Sequence, residues 1–538
     1  MGNSDMPRCA ELAFCNGNIV TMNPSKPRAE SLSTMNGRFL VVGSNREVRK
    51  TVGKGTSVLD LKGKTVLPGL IDCHVHFVKY GLQKTWIDLR NVKSISELKR
   101  RLERRVSASA KGSWIVGHGW DQERFEEKRY PTRLDLDEVA KENPVVLTRV
   151  CWHICLVNAA ALRIANIGKE IGPIQGGQID MDPETGEPTG ILRESAQDLV
   201  WKAVPPPSPK ELEVAILVAC RDAVKVGLTS IHCLIDSSRE ISALHTLRKR
   251  KRLPLRVNIL PPRELLDSLA ALGMKTGFGD DYLRIGPVKI FADGSLGART
   301  AALAEDYSDH PGNKGIMIFG QDELNGIVEK AHKSDLQVAI HAIGDRAVES
   351  ALTSFENALS RFPRRNHRHR IEHASVLNRP LIKRMKDLNV IASIQPTFTI
   401  SDFWVPQRIG LERARLVYPF KTLMKSGIVI AGSSDCPTEI LNPILGIHAA
   451  VTRGGFMPEE RLSVDEAIQA FTVNAAYASF EEKRKGSIEE GKLADFVVLS
   501  EDITRMPPEN IKDVRVEMTV VGGRIVYARR GFLNRSHT

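Results

Sequence analysis

The sequence has few cysteines and no long apolar run, and each shortage argues against a class of protein. Its 538 residues include eight cysteines without a C-x-x-C pair, which argues against a disulfide framework. The segment CWHIC at 151–155 is a poor match to a structural zinc motif. No stretch reaches the roughly 18 apolar residues of a membrane span, and the N-terminal segment lacks a signal-peptide core. We therefore expect a cytoplasmic protein without a membrane partner.

Positive charge exceeds negative charge, with a formal net charge of +12 and a pI near 9.3. The basic residues form scattered runs, which are KRRLERR (99–105), LRKRKRLPLR (247–256) and RRNHRHR (364–370). These runs lack interleaved aromatic platforms, so we interpret them as solvated helix faces and loops. We expect no nucleic-acid partner, although the charge alone leaves that alternative open.

Both ends of the chain contain short strand-like segments separated by turn residues. LAFC and NIVTM flank an Asn-Gly pair at 16–17, and SLSTM and RFLVVG flank another at 36–37, which is typical of hairpins with type I′ turns. Near the C-terminus, VEMTVV and RIVYA flank Gly-Gly at 522–523. We predict one small composite β-domain formed by residues 8–65 and 485–530.

The middle of the chain alternates short apolar strands with helical stretches. Such alternation favours an α/β fold with a parallel sheet, and eight strands suggest a closed (β/α)8 barrel. We predict this barrel over residues 66–80 and 205–484. The strand candidates are TVLPGLI (65–71), LTSIHCL (228–234), RVNIL (256–260), VKIFA (288–292), QVAIH (337–341), HRIEHA (369–374), VIASI (390–394) and GIVIAG (427–432).

The interval between the first two strand candidates is too long for one crossover connection. It has helix and strand patterns of its own, followed by a Gly-, Pro- and Asp-rich stretch and then PPPSP at 205–209. We predict that residues 81–204 form a subdomain inserted after barrel strand 1 and lying over the active-site mouth.

Metal-competent side chains recur where the predicted strands end. His74 and His76 follow VLPGLIDC, and on a strand two such residues project from the same face. His341, His373 and Asp435 each end another strand candidate. Because strand C-termini in a barrel open onto one face, we expect these residues to converge on a metal site. Singly, each histidine could be a hydrogen-bonded core residue, and Asp435 could be a helix cap or an Asx-turn residue.

Lys289 lies between Val288 and Ile290, where a buried unpaired ammonium would be costly. An ion pair with Asp293 or Asp435 would resolve this cost. Reaction of the neutral amine with carbon dioxide, which gives a carbamate able to bridge two cations, would also resolve it. The residues alone leave both possibilities open.

Six segments in chain order carry a resemblance to a known family. They are VLPGLIDCHVHF, VKIFADGSLGARTAAL, IHAIGDRAV, RIEHAS, GSSDCP and GSIEEGKLADFVVL. Together they resemble the amidohydrolase superfamily, and more narrowly its amidohydrolase 3 (YtcJ-like) branch, which includes N-substituted formamide deformylases. The resemblance spans nearly the whole chain. It implies a metal-bearing distorted (β/α)8 TIM barrel with a composite β-sandwich built from both termini.

The resemblance also implies roles for the residues at the strand ends. The HxH pair would bind one ion and His341 with His373 a second, with a carboxylated Lys289 as the bridge. Asp435 would be both a ligand and the catalytic proton shuttle. The implied ion is Zn²⁺, which lowers the pKa of bound water and polarises a substrate carbonyl.

The substrate-binding candidates depend mainly on the inserted subdomain, which the resemblance places across the mouth. Ordinary packing is the alternative for each of them. Asp293 is a further candidate, and His232 ranks lower because it is expected to pack in or near the second strand. The candidates in the subdomain are Trp120, Asp121, Arg149, His153 and Glu194.

These residues predict a metal-dependent amidohydrolase that cleaves a C–N bond, of an amide or N-substituted formamide type, in a small molecule. The products would be a carboxylate and an amine. Ester or lactone hydrolysis on the same site is one alternative. A catalytically idle relative that serves as a binding or regulatory module is another, although it would be expected to have lost ligands. A homodimer is possible, since dimers are the commonest soluble assembly.

Overall fold

A computed structural model describes residues 9–150, 154–172, 174 and 177–532 of the chain. The chain divides into two compact units, one formed by Met1–Val78 with Ala219–Thr538 and the other by Lys79–Val218. Within the described ranges, no helix is long and apolar enough to cross a membrane.

The N-terminal part of the first unit consists mainly of short strands. With one helix, α1 (Asn45–Arg49), they are β1 (Leu12–Cys15), β2 (Asn18–Val20), β3 (Arg28–Ala29), β4 (Ser31–Met35), β5 (Arg38–Gly43), β6 (Ser57–Asp60), β7 (Thr65–Pro68) and β8 (Leu70–Val75).

The middle of the chain mixes short strands with helices, the first and last of which cross the boundary between the two units. The elements are α2 (Phe77–Thr85), β9 (Ile87–Asp88), α3 (Ile95–Ser107), β10 (Ile115–Trp120), α4 (Arg133–Asp137), β11 (Val145–Arg149), β12 (Ile154–Val157), α5 (Ala159–Ile164), β13 (Gly177–Met181), β14 (Pro188–Glu194), α6 (Gln197–Trp201) and α7 (Pro209–Lys225).

The rest of the first unit alternates strands and helices before it returns to strands. The first half contains β15 (Leu228–Leu234), α8 (Ser238–Lys249), β16 (Arg256–Leu260), α9 (Leu266–Ala271), β17 (Leu283–Ile285), β18 (Val288–Phe291), α10 (Gln321–Lys333), β19 (Val338–Ala342), α11 (Asp345–Arg361), β20 (Arg370–His373), α12 (Arg379–Asp387) and β21 (Ile391–Ile394). The second half contains α13 (Phe398–Ser401), α14 (Val405–Ile409), α15 (Leu411–Ala414), α16 (Phe420–Lys425), β22 (Ile430–Gly432), α17 (Pro443–Thr452), α18 (Val464–Ala470), α19 (Val473–Ala478), β23 (Phe496–Leu499), β24 (Val516–Val521) and β25 (Arg524–Ala528).

Both ends of the chain contribute to one pair of sheets. One sheet has the order β5-β4-β1-β6 and the other β25-β24-β23-β7-β2-β3. In the second sheet β23 pairs antiparallel with β7, with Phe496 opposite Pro68. Phe14 packs edge-on against Phe496 at a centroid distance of 5.0 Å, and both lie in one buried apolar cluster. Strands from the two ends of the chain are thus hydrogen-bonded in one sheet.

The Asn-Gly turns have different outcomes. The hairpin at 36–37 is confirmed, since β4 and β5 are antiparallel and both turn residues have positive φ, as a type I′ turn requires. The hairpin predicted at 16–17 is wrong. β1 pairs with β4 and β6, whereas β2 pairs with β3 and β7. Only Asn16 of that pair has positive φ, so the chain passes from one sheet to the other.

Two parallel sheets occupy the rest of the first unit, with the orders β17-β16-β15-β8 and β18-β19-β20-β21-β22. The candidate at 65–71 is corrected, because it contains β7 of the composite domain and the start of β8. Gly69 separates the two strands, and a Cβ at this position would collide with the Thr229 side chain. This close approach explains the Pro68-Gly69 break in the apolar run.

Local sequence accounts for the helices that flank these strands. Helix α12 begins after Asn378, whose side chain accepts a hydrogen bond from the Leu381 amide at 3.0 Å. Leu381, Ile382 and Met385 form its buried face, which is the spacing of an amphipathic helix.

The unit Lys79–Val218 has its own sheet, with the order β13-β14-β12-β11-β10-β9. Its helix α3 buries Ile95, Leu98 and Leu102 in an apolar cluster that includes Trp120 and Leu147. The segment therefore has a hydrophobic core of its own.

Candidate metal centre

Three of the predicted ligands meet where β8 and β22 end. The Nε2 atom of His74 lies 3.3 Å from Oδ1 of Asp435, and Nε2 of His76 lies 3.6 Å from the same oxygen. Ligand atoms of the three residues all lie within 4.8 Å of one another. Two imidazoles and a carboxylate at this spacing can bind one ion at about 2 Å from each donor.

The other two predicted histidines adjoin this group. The ring centroid of His373 lies 4.9 Å from that of His74 and 4.5 Å from that of His341. Nδ1 of His373 lies 2.7 Å from Oε1 of Gln395, an oxygen that can only accept. Nδ1 is therefore the protonated nitrogen, which leaves the lone pair of Nε2 available to a ligand.

Lys289 lies on β18 with a buried ammonium group. Its Nζ atom has no hydrogen-bond partner among the described residues, so neither Asp293 nor Asp435 forms the hydrogen-bonded ion pair considered above. Nζ lies 4.0 Å from the centroid of the Phe291 ring. Burial lowers the pKa of Lys289 to about 8.

Glu372 orients His74, and sequence reasoning missed this carboxylate. Its Oε2 atom lies 2.5 Å from Nδ1 of His74, which turns Nε2 toward Asp435. Burial alone would raise the pKa of Glu372, but the charges of Arg370 and His74 hold it well below its usual range. A carboxylate behind a ligating imidazole is the usual way to fix its tautomer and direction.

Arg370 completes this buried layer. Its Nε donates to Oε1 of Glu372 at 2.7 Å, and Nη2 donates to the carbonyl oxygen of Cys73 at 2.7 Å. Its Nη1 lies 3.0 Å from Nδ1 of His232. The structure thus places His232 in the layer behind the predicted ligands, consistent with its lower rank.

Asp72 joins strand β8, which carries His74, to the loop after β22, which carries Asp435. Its Oδ2 accepts a 2.5 Å hydrogen bond from the Ser434 hydroxyl, and Oδ1 accepts from the amides of His74 and Ser434. Burial raises the pKa of Asp72 to about 6. Asp72 precedes His74 by two residues, and this shared strand face is the sequence signal that could have revealed it.

The side chain of Asp293 forms hydrogen bonds with backbone amides. Its carboxylate accepts hydrogen bonds from the amides of Ala302, Ile343 and Gly344 at 2.8–3.0 Å. Burial raises its pKa to about 7 despite these donors. With both oxygens occupied and the side chain fully covered, Asp293 holds the loop after His341, and the predicted substrate contact is corrected to this role.

Three residues in or beside the cluster have a left-handed backbone. His373 has φ of 75°, Ala374 of 44° and Asp435 of 56°, all in the left-handed region that residues with a Cβ rarely adopt. Each such residue costs on the order of 1–3 kcal/mol, and such strain persists at sites where function requires it.

The candidates from the inserted unit have separate outcomes. Trp120 is buried in that unit's core and donates from Nε1 to the Leu147 carbonyl at 2.7 Å, so its predicted place in a pocket wall is corrected to core packing. Arg149 donates to Asp121 at 2.7 Å, and Glu194 is exposed where β14 ends. His153 lies outside the described residues.

The donor set fits a divalent ion. Imidazole nitrogens and a carboxylate are the donors that zinc and similar ions prefer. Oδ1 of Asp435 and Nζ of Lys289 are buried and lack hydrogen-bond partners within the described ranges. A buried carboxylate oxygen in this condition is costly unless a cation satisfies it.

The mixed α/β fold and this donor set define a metal-dependent hydrolase, and sequence comparison names the family. A model described as the amidohydrolase family matches residues 57–527. The chain therefore belongs to the amidohydrolase family, and the resemblance seen in the sequence motifs is confirmed.

Individual relatives agree over nearly the full length. YtcJ of Bacillus subtilis is 36% identical over 95% of this chain and 98% of its own. The N-substituted formamide deformylase of Arthrobacter pascens is 27% identical over 98% of this chain and 100% of its own. The crystal structure of an uncharacterized metal-dependent hydrolase from Pyrococcus furiosus is 34% identical, with a TM-score of 0.81 over 92% of this chain and 100% of that one.

Proposed function

We propose that this protein hydrolyses a carbon–nitrogen bond, of an amide or N-substituted formamide type, in a small molecule. The observation that carries the proposal is the convergence of His74, His76 and Asp435 within 4.8 Å, with His341 and His373 packed beside them. The 27% identity to an N-substituted formamide deformylase over the whole chain supports the choice of bond.

His74, His76 and Asp435 would hold one divalent ion, and His341 with His373 a second. We propose zinc as the ion and a carboxylated Lys289 as the bridge, because its orphaned Nζ would become an anionic ligand. When bound, such ions would supply Lewis acidity toward the carbonyl and lower the pKa of water.

The protein's own groups would move the proton. Hydrolysis adds the oxygen of water to the carbonyl carbon and breaks the bond from that carbon to nitrogen. The Asp435 carboxylate would accept the proton of the attacking water and return it to the leaving nitrogen as a general acid. Glu372 would keep Nε2 of His74 directed at Asp435, and Asp72 would hold β8 and the loop after β22 in position relative to each other.

We further propose that the two parallel sheets are halves of one distorted (β/α)8 TIM barrel. Two backbone hydrogen bonds support closure, one at each junction between the sheets. The Lys289 amide donates to the Pro261 carbonyl at 2.8 Å, and the Asp435 amide donates to the His74 carbonyl at 2.9 Å. The role of the inserted unit over the mouth, with those of Asp121, Arg149 and Glu194, stays a prediction.

Metal analysis with a substrate panel tests the proposed activity. Purified protein should contain a divalent metal by mass spectrometry, lose activity with a chelator and regain it when Zn²⁺ is added. On a panel of N-substituted formamides, simple amides, esters and lactones, the formamides and amides should turn over fastest. Preference for esters or lactones would refute the proposed bond. Absence of any metal and of affinity for one would favour an idle binding relative.

Labelled carbon dioxide tests the bridge at Lys289. Protein exchanged with ¹³C-bicarbonate should show a carbamate resonance that is absent from Lys289→Gln, together with a lower metal content in the variant. Lys485→Gln is the matched control, because Lys485 is also buried but donates to Glu481 at 2.8 Å. A fully active enzyme without a carbamate signal would eliminate the carboxylated lysine.

A further inference from the structure

A cavity of about 670 Å³ lies in the first unit, at the opposite end of the parallel strands from the metal-competent cluster. Arg256, the first residue of β16, lines it, whereas His74 lies near the end of β8. Both strands run parallel to β15 in one sheet. The cavity is therefore separate from the proposed active site.

The lining of this cavity is strongly cationic. It contains two acidic residues, Glu11 and Asp281, against six basic ones, which are Arg38, Arg248, Lys251, Arg252, Arg256 and Arg524. Four of the six come from the basic run at 247–256, one of the runs that we interpreted as solvated helix faces and loops. Helix α8 ends at Lys249, so most of that run leaves the helix and turns toward the cavity.

Two of these arginines are fixed and neutralised. Arg256 and Arg248 lie over the Tyr282 ring, with guanidinium carbons 4.7 Å and 4.8 Å from its centroid. Arg256 also donates to Asp495 at 2.6 and 2.8 Å, and Arg248 to Asp280 at 2.8 Å. These contacts make a rigid wall at one side of the cavity.

The remaining cations are not neutralised by the protein. Lys251, Arg252 and Arg524 are exposed, and within the described ranges their side chains form no hydrogen bond or ion pair. Arg38 uses one guanidinium nitrogen on the Gly491 carbonyl at 2.7 Å. Like charges gathered around one concavity repel each other unless an anion joins them.

We propose that this cavity binds a small molecule that carries a di- or triphosphate group. Arginine forks and a lysine ammonium are the side chains that recognise phosphate oxygens. Leu253, Pro254 and Ile525 supply an apolar part of the lining for an organic portion of the ligand. The volume lies within the roughly 300–1,000 Å³ of small-molecule sites. The proposal is independent of the proposed hydrolase activity.

Calorimetry on the full chain tests this site with sodium tripolyphosphate and ADP as probes. We expect saturable binding to one site at low salt. The variant Lys251→Gln/Arg252→Gln/Arg524→Gln should bind both probes about tenfold or more weakly, because three charge-assisted contacts are removed. The matched control, Arg100→Gln/Arg104→Gln/Arg105→Gln, removes the same charge from exposed positions of α3 and should bind as the wild type does.

Several outcomes would overturn the proposal. Absence of tripolyphosphate binding at low salt would do so, and so would equal weakening in both triple variants, which would indicate nonspecific attraction to net charge. Titration with single-stranded oligonucleotides of increasing length tests the alternative that the basic residues bind nucleic acid. Affinity that grows with oligonucleotide length and falls in both variants would assign the charge to nucleic-acid binding. Inorganic diphosphate is a third probe, and ADP that binds no more tightly than diphosphate would overturn the assignment of an organic portion to the apolar lining.

Discussion

Two buried ionic groups at opposite ends of the parallel strands use similar residues in opposite ways. At the start of β16, Asp495 accepts two hydrogen bonds from Arg256 and one from the Gly522 amide. At the end of β8, Oδ1 of Asp435 faces His74 and His76 at 3.3 and 3.6 Å. It has no hydrogen-bond partner within the described ranges.

This difference indicates that the Arg256–Asp495 pair stabilises the fold, whereas the cluster around Asp435 is suited to binding a ligand. A buried pair whose donors and acceptors are all used can only hold the fold together, because it offers nothing to a ligand. A cluster whose carboxylate oxygen has no hydrogen-bond donor, on a residue with a left-handed backbone, has a cost that a bound cation can offset. The same contrast between a stabilising and a reactive end is common in parallel barrels.

The largest expected effect is the loss of activity when Asp435 of the metal-competent cluster is replaced. Asp435→Asn should lower kcat/KM by between about 10³- and 10⁴-fold, because the amide cannot accept and return the proton. The variant should stay folded, which thermal unfolding checks. Asp513→Asn, at an exposed position, is the control. Substantial activity in Asp435→Asn would remove this residue from the mechanism.

Loss of the ion pair between Arg256 and Asp495 should lower the stability of the fold without changing catalysis. Arg256→Met leaves the Asp495 carboxylate buried without its partner and should lower the free energy of unfolding by about 3 kcal/mol. kcat/KM should stay within about twofold, because Arg256 lies at the far end of the strand from the cluster. Denaturant titration with kinetics measures both quantities. Adding Asp495→Leu should recover most of the stability, and failure to do so would show that the pair is not the cause.

A smaller effect, on metal affinity, is expected at Glu372, which contacts His74 from behind. Glu372→Gln should weaken metal affinity by about 10- to 100-fold, because the neutral amide no longer fixes the His74 tautomer. Competition with a chromophoric chelator measures the affinity at pH 7.

Glu240→Gln is the matched control for Glu372→Gln. Burial raises the pKa of Glu240 to about 8, so at pH 7 its carboxyl group is largely protonated and glutamine replaces it with little change. The raised pKa of Glu240 means that its protonated carboxyl group stabilises the wild-type fold. This stabilisation is complete below the unfolded-state pKa of the group and is lost as pH rises through 8. Equal metal affinity in Glu372→Gln and the wild type would contradict the orienting role.

The smallest effect should come from the support of His373. Gln395→Met removes the acceptor at Nδ1 and should weaken metal binding by about fivefold, the equivalent of one ordinary hydrogen bond. Gln395→Glu keeps an acceptor at Nδ1 and should restore binding. If both variants bind metal equally well, the orientation of His373 does not depend on Gln395.

The parallel strands and the meeting of His74, His76 and Asp435 were predictable because each depends on local pattern. Apolar strands ending in histidine or aspartate at 74, 341, 373 and 435 follow the parallel-sheet rule that such ends converge. The Asn-Gly pair at 16–17 misled because turn chemistry does not reveal which sheet a strand joins.

The layer behind the ligands was less accessible to sequence reasoning. Glu372 and Asp72 lie inside apolar strands, and only the three-dimensional partners Arg370 and Ser434 explain why a buried carboxylate is tolerated there. Trp120 was a pocket candidate because the family resemblance places the inserted subdomain across the mouth, yet its indole N–H is satisfied inside that unit's own core.

The composite sheet has a consequence for how the chain is made. β7 has its partner β23 at residues 496–499, so more than four hundred residues must be synthesised before that edge is covered. Until then an apolar strand edge is open to pairing with other chains. A ribosome that stops between β7 and residue 496 releases a product with that edge exposed, so β23 covers an aggregation-prone edge that β7 presents until then.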